Sequence, residues 1–300
     1  MSNTNLNLQD LSTALADTIA AASASLVQVV ARRRRASSGV VWAADGLVVT
    51  ADHTVEFEED IAVGLADGTK VPARLVGRDP STDLAVLRFE AQGLTPPAWS
   101  DLEGVRVGHL VLAVARPGYN LGAALGIVSD LRGEWRTPAG GRIDRYLQSA
   151  VELQRGFSGS LLVDPAGRAF GISSAGLLRG RNLTVPTATV RRVVESLVAH
   201  GRMRRGYLGI GVQPVRLPPP LAEAAGQAVG LIVVDVQPDG PAAQAGVVLG
   251  DVLLSLDGEP TADIAHLHGL LSEDRIGRAV ALRLVRAGEI REVPATLGAR

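Results

Sequence analysis

Ser158 stands between two glycines in Gln154-Arg155-Gly156-Phe157-Ser158-Gly159-Ser160, with the apolar run Leu161-Leu162-Val163 behind it. A serine hydroxyl is a poor nucleophile by itself, so this turn carries covalent catalysis only if a base, and a group that orients the base, lie elsewhere in the chain. Both candidates lie upstream. His53 follows the β-branched run Leu47-Val48-Val49-Thr50, which places an imidazole at the end of a strand. Asp83 directly precedes the apolar run Leu84-Ala85-Val86-Leu87 and can be drawn inward with it, whereas Asp79, beside Pro80, suits a turn.

The elements that must position these three read as β-structure. Between Leu26 and about Val190 the chain alternates short apolar runs with Gly, Pro and Asp turns: 61–65, 71–76, 84–89, 109–114, 126–130, 146–148, 161–163 and 169–172. That cadence predicts an all-β sandwich or barrel. Val190 to His200 reads as a closing helix with Val193, Val194, Leu197 and Val198 on one face. The polar, glycine-bounded stretch Gly201 to Gly206 marks a boundary. At the other end, Leu8, Leu11, Leu15 and Ile19 have helical spacing over 8–24, with Asp10 or Ser12 as caps and an apolar face suited to a neighbouring subunit.

Three segments in this order resemble the trypsin-like serine proteases of the HtrA (Deg) type. The matching residues are Ser38 to His53 with its Thr-Ala-Asp-His end, Asp79-Pro-Ser-Thr-Asp-Leu-Ala-Val-Leu87, and Gly156-Phe-Ser-Gly159. The resemblance implies a mainly β fold, a chymotrypsin-like double β-barrel, with His53 and Asp83 from the first barrel and Ser158 from the second. It implies that His53 takes the proton of Ser158 as the serine attacks a peptide carbonyl and returns it to the leaving amine, while Asp83 holds the imidazole tautomer. The N–H groups of Gly156 and Ser158 would form the oxyanion hole, each donor typically worth about 3–4 kcal/mol of barrier.

The chain departs from the family's Asn-Pro-Gly-Asn-Ser-Gly-Gly at Gln154 to Ser160, and without the proline a looser loop is expected. The specificity pocket is expected at Glu152, Gly171 and Ser173. A carboxylate at that floor would favour Arg or Lys before the scissile bond; the alternative has Glu152 facing solvent or pairing with Arg155.

Beyond the boundary, Tyr207-Leu208-Gly209-Ile210, Gly230 to Val236 and Pro241-Ala242-Ala243-Gln244-Ala245-Gly246 with Gly250-Asp251-Val252-Leu253 resemble a PDZ domain. By that resemblance Tyr207, Leu208 and Gly209 offer N–H groups to a terminal carboxylate and Ile210 begins the edge that a peptide extends. Leu208, Ile210, Leu267 and Leu271 would line the pocket for the last side chain, or Leu208 and Ile210 serve the core. The expected division is an N-terminal helical segment at 1–25, a protease domain at 26–200, a linker at 201–206 and a PDZ domain at 207–300.

Composition narrows the partners. The net charge is −1 with charges mixed along the chain, which argues against a general nucleic-acid binder. There is no cysteine, and the five histidines are mostly scattered, so neither a metal nor an organic cofactor is expected. The run Arg32 to Arg35 reads as a solvated hairpin loop, with a polyanion or anionic-lipid contact as the functional alternative. The N-terminus lacks a basic start and a long apolar core, and 19–30 is too short to span a membrane, which predicts a cytoplasmic location. The function expected is ATP-independent cleavage of unfolded or misfolded proteins, with PDZ capture of C-terminal or exposed peptide segments and assembly as a homotrimer. The alternative is a peptide-binding chaperone or scaffold with an inactive or weakly active protease domain.

Overall fold

The computed structural model describes residues 7–33, 35–91 and 93–299. The chain divides into two compact units between Met203 and Arg204.

In the first unit β1 (Leu26–Val30), β2 (Ser37–Ala43), β3 (Leu47–Ala51), β4 (Ile61–Gly64), β5 (Lys70–Asp79) and β6 (Leu84–Phe89) close into a barrel of order β1-β2-β3-β6-β5-β4. A second barrel is formed by β7 (Leu110–Ala115), β8 (Gly122–Arg132), β11 (Tyr146–Ser149), β12 (Ser160–Val163), β13 (Ala169–Ser174) and β14 (Leu183–Pro186), with the short pair β9 (Trp135–Arg136) and β10 (Arg142–Ile143) between β8 and β11.

Both faces of the central strands are buried, so the pleat sorts apolar residues between two cores. On β6, Ala85 and Leu87 point into the first barrel with Val27, Val48 and Val63, while Leu84 and Val86 join Val40, Val49, Leu112 and Leu161 in the layer between the barrels. Period-two side-chain direction produces this sorting directly. The second barrel has its own interior of Val111, Ala113, Val128, Leu147 and Phe170.

Two helices flank the barrels. Helix α2 (Thr187–His200) buries Val190, Val193, Val194 and Leu197 and ends at Gly201 with φ 70°. Val198, expected on the same face, points to solvent. Helix α1 (Leu8–Ala22) is capped by Asn7, whose side chain accepts from the Gln9 N–H at 3.0 Å, rather than by Asp10 or Ser12. Leu15 and Ile19 pack against the inter-barrel core, and Thr18 Oγ1 donates to the Pro165 carbonyl at 2.8 Å, so the helix lies on its own chain.

The second unit is a sheet of order β16 (Ile210–Arg216), β17 (Val229–Val236), β18 (Val252–Leu256), β20 (Ala279–Arg286), β21 (Glu289–Thr296), with β19 (Glu259–Pro260) paired to β18. Helices α3 (Pro219–Ala225), α4 (Pro241–Gln244) and α5 (Ile264–Leu270) accompany it, and β15 (Gly206–Tyr207) pairs with β22 (Gly298–Ala299). No helix among the described residues is long and apolar enough to cross a membrane.

Candidate active site

His53 lies in the single helical turn Asp52–Thr54 that follows β3, and Asp83 lies in the turn before β6. Because β3 and β6 are paired with Ala51 opposite Leu84, the residues just beyond that rung are brought together. His53 Nδ1 sits 2.9 and 2.8 Å from the two oxygens of Asp83, and the His53 backbone N–H donates to Oδ1 at 2.9 Å. Asp83 is 5% exposed and has φ 56°, a left-handed conformation that costs an ordinary side chain energy but that aspartate tolerates. Asp79 takes the other role expected of it, accepting from the Ser81 and Thr82 hydroxyls at 2.6 Å within the turn.

Two further residues complete this arrangement. The Ser174 hydroxyl donates to Asp83 Oδ2 and accepts from the N–H groups of Gly176 and Leu177, each at 3.0 Å. The imidazole lies against the backbone of Gly176: a Cβ there would stand 2.4 Å from His53 Nδ1. Glycine is needed at 176 for close approach.

Ser158 lies two residues before β12, and its Oγ accepts from the Ala175 N–H at 3.3 Å. Ser158, Gly156 and His53 line one cleft of about 720 Å³ together with Thr54, Glu56, Gln154 and Arg155. His53 Nε2 is the ring nitrogen left for Ser158 once Nδ1 is engaged by Asp83. No hydrogen bond joins Ser158 to His53 among the described residues, a contact that often tightens only when substrate is bound.

The nucleophile loop, expected to be loose without its proline, is tied to the first barrel. The Ser38 hydroxyl, which accepts from the Arg116 N–H at 2.9 Å, donates to the Gly156 carbonyl at 3.0 Å, and the Ser38 N–H donates to the Ser158 carbonyl at 3.3 Å. Phe157 is buried, its ring against Gly122, and the Phe157 N–H closes a turn onto the Gln154 carbonyl at 3.0 Å. Gly156 has φ 91°, and a Cβ there would stand 2.6 Å from Pro117 Cβ. The N–H groups of Gly156 and Ser158 donate to no acceptor among the described residues, which leaves both for a ligand. Ser38 was legible only as part of the family resemblance; its reach to another barrel has no local signal.

Glu152 is exposed, is not among the residues that line the cleft, and forms no ion pair with Arg155 among the described residues. Gly171 and Ser173 are buried on β13. Ser173 lies opposite Ser160 on one side and Thr184 on the other, and none of the three hydroxyls has a partner among the described residues. The arginine run joins β1 to β2 as a hairpin, and Arg32, Arg33 and Arg35 line the same cleft as Ser158, which neither sequence reading anticipated; Arg34 lies outside the described residues.

In the second unit Leu208 and Leu267 lie inside the core, and only Ile210 and Leu271 keep part of their surface, so the expected four-residue pocket is half core. The Tyr207 hydroxyl donates to Gln237. The N–H groups of Leu208 and Gly209 donate to no acceptor among the described residues, while their carbonyls accept from Ala242 and Gln237, each at 2.8 Å. Strand β16 forms an edge of the sheet.

Residues 37–172 match the trypsin-like peptidase domain and residues 206–297 match the PDZ domain. The chain is 34% identical over 282 residues to a probable periplasmic serine endoprotease DegP-like of Pseudomonas putida (strain W619), covering 89% of this chain and 57% of that protein. It is 35% identical over 271 residues to the protein of the same name from Brucella suis biovar 1, covering 87% and 52%. The chain therefore spans little more than half the length of these curated relatives.

Among solved structures, the HtrA-type protease AlgW with tripeptide matches at 30% identity and a TM-score of 0.70, covering 95% of this chain and 97% of that one. The same protease with decapeptide matches at 28% and 0.72. These findings favour the protease over the chaperone or scaffold reading. The cytoplasmic expectation is overturned, because the relatives are named periplasmic. It rested on the lack of a basic, apolar leader, and where a given chain begins carries no information about its compartment.

Proposed function

Since this chain belongs to the HtrA family of trypsin-like serine proteases, with one trypsin-like peptidase domain and one PDZ domain, we propose that it is an ATP-independent serine endopeptidase acting on unfolded or misfolded polypeptides. In this reading Ser158 attacks the scissile carbonyl, and His53 takes the serine proton and delivers it to the leaving amine. Asp83, held by Ser174, keeps Nδ1 protonated and stabilises the imidazolium, and the Gly156 and Ser158 N–H groups receive the developing oxyanion. The single observation that carries the reading is the cleft shared by Ser158, Gly156 and a His53 whose Nδ1 is 2.8 Å from a buried carboxylate. No cofactor has a part in this chemistry.

The PDZ domain captures C-terminal or exposed peptide segments. The unengaged N–H groups of Leu208 and Gly209 take the carboxylate, and the β16 edge pairs with the peptide, Ile210 and Leu271 framing its last side chain. The protein works as a homo-oligomer, a trimer by resemblance to its family.

The test is labelling by a fluorophosphonate probe together with casein hydrolysis. Wild type is expected to label and to cleave, and Ser158→Ala to do neither. A wild type that does neither, even with C-terminal peptides added, overturns the endopeptidase reading.

A further inference from the structure

Among the described residues, four arginines, Arg32, Arg33, Arg35 and Arg155, line the cleft that holds Ser158 and His53, and Glu56 is the one acidic residue that lines it with them. None of the four is ion-paired with a carboxylate among the described residues, whereas Arg78, Arg88, Arg142, Arg168 and Arg286 each are. The whole chain carries a net charge of −1, so this concentration is not a by-product of a basic protein. The loop that presents three of them is rooted. The N–H groups of Glu56 and Phe57 donate to the Ala31 carbonyl at 2.9 and 3.1 Å, and the half-buried Arg32 donates from Nε to the Arg35 carbonyl. Arg155 belongs to the turn that carries the Gly156 N–H.

We propose that this cleft selects polypeptide segments with aspartate or glutamate side chains close to the scissile bond, bound by Arg33, Arg35 and Arg155 with Arg32 in support. The inference rests on the endopeptidase reading and names its substrate class. Guanidinium groups stay charged at any working pH and match a carboxylate with two parallel N–H donors, so unpaired arginines in a concave site favour carboxylates over other polar groups. Walls of low dielectric around the cleft strengthen that attraction and raise the local concentration of acidic segments. A polypeptide is favoured over another polyanion because the arginines share their cleft with the nucleophile, where a chain threaded for cleavage passes them.

The experiment uses internally quenched, C-terminally amidated peptides, so that the PDZ groove does not contribute. Each pair differs only by Asp or Glu against Asn or Gln at positions within three residues of one scissile bond. The acidic member is expected to be cleaved about tenfold better in kcat/KM at low ionic strength and only about twofold better in 0.5 M salt. In the exposed triple variant Arg33→Gln, Arg35→Gln, Arg155→Gln that ratio falls to about one, whatever the absolute rates.

Binding of the same peptides to Ser158→Ala, followed by anisotropy, provides a readout free of turnover. Preferential binding of the acidic member without hydrolysis by the parent upholds the recognition and defeats the endopeptidase reading. Equal treatment of both members in cleavage and binding overturns the inference, and so does binding of anionic vesicles or polyuridylate by the parent with no discrimination between the peptides.

Discussion

Two buried aspartates, one in each unit, are held in different ways. Asp251 in the second unit is 1% exposed and takes both arms of Arg286, Nε to Oδ1 at 2.8 Å and Nη2 to Oδ2 at 2.7 Å, with the Val248 N–H at 2.9 Å. Asp83 in the first unit has no guanidinium partner among the described residues; its partners are the imidazole and N–H of His53 and the hydroxyl of Ser174. A guanidinium partner makes a permanent ion pair, and Asp251 serves the fold. An imidazole partner can gain and lose a proton, and its other nitrogen faces a cleft, so the same kind of buried carboxylate serves chemistry. Burial alone would raise the Asp251 carboxyl; the Arg286 hydrogen bonds and the Val248 N–H outweigh it and hold the group below its ordinary value.

The sharpest way to break this contrast is to neutralise each carboxylate in turn. Asp83→Asn is expected to lower kcat for peptide hydrolysis by about 10⁴ with both units still folded, because the wrong His53 tautomer is then favoured. Steady-state kinetics beside circular dichroism checks this, and a loss below about tenfold would place Asp83 with Asp251 as a structural group.

Gly176→Ala pushes a methyl into the imidazole and is expected to cost about a hundredfold in kcat while leaving thermal unfolding nearly unchanged, since the clash falls on a side chain open to the cleft. An unaltered kcat would mean that the ring has room to spare. Asp251→Asn is the converse. It is expected to lower the melting temperature of the second unit by about 10 °C in calorimetry of the full chain, with cleavage of short amidated peptides retained.

The smallest effect is the pH dependence of that pair. Because the folded Asp251 value is depressed, its contribution is complete above the ordinary carboxylate value near about 3.9 and is lost as pH falls through the lower folded value. Melts between pH 5 and pH 3 should therefore show the gap between wild type and Asp251→Asn narrowing toward the acid end. A gap that stays constant would assign the stabilisation to packing instead.

Much of the frame was legible in the residues. The runs expected at 84–89 and 61–65 are strands at Leu84–Phe89 and Ile61–Gly64, and the run expected at 126–130 lies inside the longer Gly122–Arg132. These succeed because a short apolar run bounded by Gly, Pro and Asp turns is a local signal. The N-cap of α1 was missed because its apolar spacing begins at Leu8 and draws attention inward, while the cap is the residue outside it. The burial of Leu208 and Leu267 was not legible, because an apolar side chain in a sequence does not say whether its far side meets a core or a ligand.

By itself the sequence determined that a serine in a glycine turn, a histidine after one strand and an aspartate before another exist in one order, with strands able to bury both faces. Segment type and spacing specify the local backbone, and so the end of the strand on which each group lies. Only the tertiary structure decided that β3 and β6 pair so as to join His53 to Asp83, that Ser174 completes the carboxylate's partners, and that Ser38 ties down a loop 118 residues away. It also turned Glu152 outward and set the arginine loop beside the nucleophile. These contacts join different strands and barrels, and the closure of a barrel sets them, with no pattern inside either segment to announce the other.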